Sequence, residues 1–218
     1  MKKTVKQALC SVLSALLLVF PLPAGAVQAW ENPFGDVADT DWYYQHVFWA
    51  SESGVMNGTS DTAFDPDAPM TRAMFVTVLW RMAGSPAAEG GLTFTDLKSE
   101  WYRQAVRWAV ANGIADGYSA ERFGPDDPVS REQMCVFLCR FLEHLGWTLD
   151  REFSGAAFAD GADISTWAAD CVDICTRAGL IQGVGGNAFA PKQSASRMEV
   201  STLLTRFVTK LVEKYCGV

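Results

Sequence analysis

Three arginines stand directly behind a hydroxyl residue at the head of a helix-patterned run: Thr71-Arg72, Ser130-Arg131 and Ser196-Arg197. Arginine is poorly placed there, because the positive end of a helix dipole prefers an anion. A guanidinium fixed at that end needs a partner, either a structural carboxylate from a neighbouring segment or a bound anion. With exposed helix N–H groups beside it, it suits a carboxylate ligand through a bidentate pair. Trp42, Trp101 and Trp167 recur in the same register and offer either a flat face for a sugar ring or core packing. Asp36, Asp96 and Asp160 recur too, as acceptors for sugar hydroxyls, as turn caps or as partners of the arginines.

The residue three places after the hydroxyl is Met74, Gln133 or Glu199. Ser-x-x-Gln and Ser-x-x-Glu are capping boxes, in which hydroxyl and third residue satisfy helix N–H groups reciprocally, so Gln133 and Glu199 have a structural role available without any ligand. No singular catalytic constellation stands out. A glycosidase needs one matched carboxylate pair, but the 25 acids recur with the repeat or fall on polar faces, and His46 and His144 have no nucleophile motif nearby. Asp65/Asp67 and Asp126/Asp127 hint at calcium, yet their loops carry proline and lack a full ligand series. The expectation is a non-enzyme with no cofactor and no metal.

These residues are placed by an internal repeat. Phe64-Asp65-Pro66, Phe123-Gly124-Pro125 and Phe189-Ala190-Pro191 each precede the hydroxyl–Arg pair, at a period of roughly 60 residues. Each repeat opens with Phe-x-Asp (Phe34, Phe94, Phe158), followed by Thr40, Ser99 or Ser165 as the expected helix cap, with the tryptophan two residues on. Gly54, Gly113 and Gly179 are expected to stop the first helix at a left-handed position. A second glycine, Gly58, Gly117 or Gly183, lies in the loop for positive φ or close approach by another group. The second helix has the stripe Phe75, Val78, Leu79, Met82, repeated as Met134, Phe137, Leu138, Phe141 and as Val200, Leu203, Leu204, Phe207. That spacing is amphipathic and helical. Trp49 and Trp108 are the better core tryptophans.

Lys2, Lys3 and Lys6, the apolar run Val12 to Phe20 and the small residues up to Ala29 read as an export signal over 1–29, with a retained membrane anchor as the rival. Cleavage after Ala29 would take the net charge from -7 to about -10, which disfavours nucleic acid and anionic lipid as partners. Cys135/Cys139 and Cys171/Cys175 are each spaced i,i+4. Small apolar packing, disulfides and a four-thiolate zinc site all fit that spacing, packing best, since Cys175 falls in register with Ala50 and Ala109.

The opening Phe-x-Asp and Trp, the loop Gly, Phe-x-Pro and the motif Thr-Arg-Ala-Glu resemble the S-layer homology (SLH) domain, and the resemblance spans nearly all of the exported chain. It implies an all-α fold of three helix-loop-helix repeats, 30–91, 92–155 and 156–218, in a pseudo-threefold prism around a central three-helix bundle. It also implies a cell-surface module, expected as a monomer, that binds an acidic, pyruvylated secondary cell-wall polysaccharide. The ligand contacts it implies are Arg72, Arg131, Arg197, Trp42, Trp101, Trp167, Asp36, Asp96, Asp160, Gly58, Gly117, Gly183 and Glu199. The motif departs from the family pattern in Thr71-Arg72-Ala73-Met74 and Ser130-Arg131-Glu132-Gln133 and keeps its acid only at Glu199, which makes repeat one the weakest contributor if that acid touches ligand. An exported protein–protein scaffold is the alternative.

Overall fold

The computed structural model describes residues 30–153 and 158–215; the expected leader, Cys10 and Cys216 lie outside the described residues. Short opening helices alternate with longer second helices. The opening helices are α1 (Tyr44–Glu52), α3 (Arg103–Ala111) and α5 (Ala169–Arg177); the second helices are α2 (Arg72–Met82), α4 (Arg131–Leu145) and α6 (Arg197–Tyr215). Among the described residues β-structure is confined to isolated bridges, so the chain is all-α as expected.

The second helices form where their sequences say. Thr71 and Ser130 sit extended at the N-cap and accept from Met74 and Gln133, with a full capping box at Ser130. Ser196 and Glu199 bond reciprocally in the same way. All twelve residues of the three predicted stripes are buried. Gly54, Gly113 and Gly179 adopt φ of 67°, 67° and 71° just past the opening helices. Behind α3, Ile114 N–H donates to Ala109 and Gly113 N–H to Val110, the paired bonds of a Schellman stop.

The starts of the opening helices differ from expectation. Thr40, Ser99 and Ser165 do not cap them; Tyr43, Tyr102 and Ala168 stand at the N-caps with no side-chain cap bond. A tight turn precedes each helix instead, through Tyr44 N–H to Asp41, Arg103 N–H to Glu100 and Ala168 N–H to Ser165. In repeat two the Tyr102 phenol oxygen accepts from the Lys98 and Ser99 N–H groups and so fixes the loop ahead of the helix. The tryptophans therefore lie on these turns, ahead of the helices rather than on them.

The chain forms two compact units. In one, residues 30–68 and 196–215, α1 packs on α6. In the other, residues 69–195, α2 packs on α3, α4 on α5, and α2 touches α4. Every opening helix thus packs on the second helix of a different repeat, which is why one repeat cannot bury its own apolar face. Within the second unit three buried residues close a cycle: Met70 N–H donates to Ala195 (2.8 Å), Ala195 to Val129 (2.9 Å) and Val129 to Met70 (2.8 Å).

Candidate functional site

Each arginine of the hydroxyl–Arg pair is buried and donates to the backbone of another repeat. Arg72 Nε donates to the Phe123 carbonyl at 3.1 Å and Nη2 to Asp116 at 2.7 Å. Arg131 reaches Phe189 (2.8 Å) and Gln182 (2.7 Å), and Arg197 reaches Phe64 and Asn57 (both 2.7 Å). The guanidiniums also lie over Phe123, Phe189 and Phe64 respectively. Burial draws the Arg72 and Arg197 pKa values down from the ordinary arginine value.

The helix N–H groups beside them are occupied as well. Arg72 and Ala73 N–H donate to the Asp127 and Pro125 carbonyls, Arg131 and Glu132 to Gln193 and Pro191, and Arg197 and Met198 to Ala68 and Pro66. The third N–H of each helix goes to the N-cap hydroxyl. The open anion-binding helix end expected from sequence is closed, because the proline loop of another repeat supplies the carbonyls that cap it. Glu199 is placed in its capping box.

The aspartates complete the same joint. Asp36 accepts from Phe64 and Asp65 N–H, Asp96 from Phe123 and Gly124, and Asp160 from Phe189 and Ala190. Each carboxylate fixes the N–H side of the phenylalanine whose carbonyl receives the arginine. The Phe189 N–H bond is the main reason the Asp160 carboxyl is held below its usual range. The loop glycines serve close approach rather than positive φ: a Cβ on Gly117 would sit 2.4 Å from Phe94 Cε1 and 2.7 Å from two carbonyl oxygens, and Gly58 is as crowded. Beside Gly183 lies a cleft of about 490 Å³ lined by Phe153, Phe158, Gln182 and Asn187.

Trp42, Trp101 and Trp167 are exposed, at 63%, 52% and 56%, whereas Trp49 and Trp108 are buried. In the second unit, Trp167 stands with a polar cluster that sequence reasoning missed. The Glu132 carboxylate, itself buried, accepts from Ser165 N–H (3.0 Å), the Ser165 hydroxyl (3.1 Å) and the Lys192 ammonium. Lys192 Nζ also reaches the Ser165 hydroxyl and lies 6.0 Å from the Trp167 ring centroid. Its signal was a paired departure from the repeat: Lys192 stands where the other loops have Asp67 and Asp126, and Glu132 where the other helices have Ala73 and Met198. In repeat two, Tyr118 covers Arg72 at 4.4 Å, and a cleft of about 230 Å³ is lined by Asp96, Lys98, Arg122 and Asp127. Of the four acids that hinted at calcium, Asp127 pairs with Arg122 in repeat two and Asp65 accepts from the Thr59 hydroxyl in repeat one.

Three segments of the chain match the S-layer homology domain, residues 33–74, 93–135 and 157–201. The chain is similar to an endoglucanase of Bacillus sp. (strain KSM-635), 30% identical over 216 residues, covering 96% of this chain and 23% of that protein. It is also similar to the surface-layer 125 kDa protein of Lysinibacillus sphaericus (28% identical; 72% of this chain, 13% of that protein). A cellulosome-anchoring protein of Acetivibrio thermocellus is 26% identical over 50% of this chain and 26% of its own length. The chain thus spans only a small part of each of these proteins. Its three matched segments contain every residue of the three arginine–carbonyl joints, each joint linking two of them, and the chain belongs to the S-layer homology domain family.

Proposed function

We propose that the chain is a non-catalytic module that attaches to the cell surface by binding an anionic secondary cell-wall polysaccharide, with three repeats at 30–91, 92–155 and 156–218. The observation that carries this reading is the exposure of an indole at the same register of every repeat. A tryptophan left in water three times is not serving the core, and an aromatic face covers the apolar side of a pyranose. Surface-layer and cellulosome-anchoring proteins among the relatives support the cell-surface setting.

The arginines and aspartates contribute by bracing the Phe-x-Pro loops through the bonds they make to the backbone. Direct contact with the acidic substituent falls to Lys192. Its ammonium has three donors; two point at Glu132 and Ser165, and the third meets a ligand carboxylate while the sugar stacks on Trp167. A pyranose bearing a pyruvate ketal supplies both the ring and the carboxylate.

Co-sedimentation with purified cell walls stripped of protein tests this. Pelleting with stripped walls, lost on adding soluble wall polysaccharide, is the expected result. Pelleting only when wall proteins are present would instead establish a protein–protein scaffold, and new reducing ends in the polysaccharide would establish an enzyme.

A further inference from the structure

Four thiols meet where α4 packs on α5. Cys135 and Cys139 lie one turn apart on α4, and Cys171 and Cys175 one turn apart on α5. Cys139 Sγ is 3.9 Å from the Cys171 carbonyl oxygen, and Cys175 Sγ is 4.0 Å from that of Cys135. Residue 139 therefore faces 171, and 135 faces 175, the register of an antiparallel helix pair. All four are free thiols. The pairs differ in access: Cys135 and Cys175 are fully enclosed, whereas Cys171 is half-buried beside Cys139. The four sulfurs are not arranged as a set that could hold a metal ion.

We propose that Cys139 and Cys171 are an oxidisable pair that closes to a disulfide between α4 and α5 when the chain meets a small-molecule disulfide such as glutathione disulfide. The Cys139 and Cys171 sulfurs join, the oxidant's S–S bond breaks, and two electrons and two protons pass to it, giving two equivalents of the free thiol. Hydrogen bonds from Cys171 first, and then from Cys175, draw the Cys139 thiol down from its ordinary value, which favours Cys139 as the attacking sulfur of the exchange. The same interactions push Cys171 up. The bond would tie α4, whose first turn carries Arg131 and Glu132, to the helix that leads into Gln182. It links residues 32 apart and narrows the unfolded ensemble accordingly.

The test uses the full chain carrying Cys10→Ser and Cys216→Ser, incubated with glutathione disulfide or with dithiothreitol, alkylated in denaturant, digested and fragmented. The expected result is a Cys139–Cys171 cross-link in the oxidised sample, with Cys135 and Cys175 alkylated, and a Tm higher than that of the reduced sample by roughly 8 °C. Cys171→Ser should lose both the cross-link and the redox-dependent Tm difference, while Cys135→Ala/Cys175→Ala should keep the cross-link. Alkylation of all four thiols after exhaustive oxidation overturns the proposal, as does a Cys135–Cys175 bond in its place. Protection of the thiols by stoichiometric zinc, reversed by a chelator, overturns it in favour of a metal site. Should a variant fail to fold, mapping of the parent chain lacking Cys10 and Cys216 alone decides.

Discussion

Arg131→Ala removes one of the three joints, and its consequence can be worked from the geometry. Two charge-assisted bonds, 2.8 Å to Phe189 and 2.7 Å to Gln182, vanish from a side chain only 3% exposed. Each such bond nets about 1.5–3 kcal/mol, and a carbonyl left buried without a partner is penalised by about 1–3 kcal/mol. Against this, the cation's desolvation is relieved, and so is its opposition to the α4 dipole, the latter worth roughly 0.5 kcal/mol. The balance is a loss of about 3 kcal/mol, large against the total stability of a domain this size. Urea unfolding followed by far-ultraviolet circular dichroism should show a lower midpoint at unchanged m. Arg131→Lys should recover little, because an ammonium cannot span two carbonyls with a rigid fork. A destabilisation under about 1 kcal/mol would refute the reasoning, since the guanidinium would then be a ligand group standing by chance near the loop.

Gly117→Ala should destabilise by about 3 kcal/mol in the same assay, since its Cβ meets Phe94 and two backbone oxygens that cannot all move. The Asp160 carboxyl is held below its usual range by the loop N–H groups, so its stabilisation is present above the unfolded value of about 3.9 and lost as pH falls through the lower folded value. Asp160→Asn should therefore flatten the acid limb of Tm against pH in that window. Trp167→Ala should leave Tm within about 3 °C of the native chain, while cutting wall binding roughly tenfold, about 1.4 kcal/mol.

The second helices were legible because a cap and a stripe agree within one short window. The opening helices were less so. Ser99 has the right residue type for a cap, but its own N–H is held by the phenol of Tyr102 in the loop ahead of the helix, a contact a linear reading does not rank. The arginines show the limit most clearly. Their position against the dipole demands a partner, and from sequence a carboxylate or an anion fits that demand. Backbone carbonyls 51 and 58 residues away for Arg72 and Arg131, and 133 for Arg197, belong to the repeat packing and leave no mark on the local sequence. The tryptophans stood open between core and surface until the turns that carry them were seen. Lys192 and Glu132 were readable in principle, since a charge reversal in one copy and a new acid in another are visible once the repeats are aligned.

The central claim is that exposed indoles and a nearby cation receive a sugar bearing a carboxylate. It is tested most directly by titrating the chain with purified wall polysaccharide before and after mild acid hydrolysis of its pyruvate ketals. The account predicts saturable binding to the intact polymer, a loss of at least roughly tenfold after hydrolysis, and a smaller loss for Lys192→Ala, which already lacks the cation. Equal binding to both polymers by the native chain would contradict it.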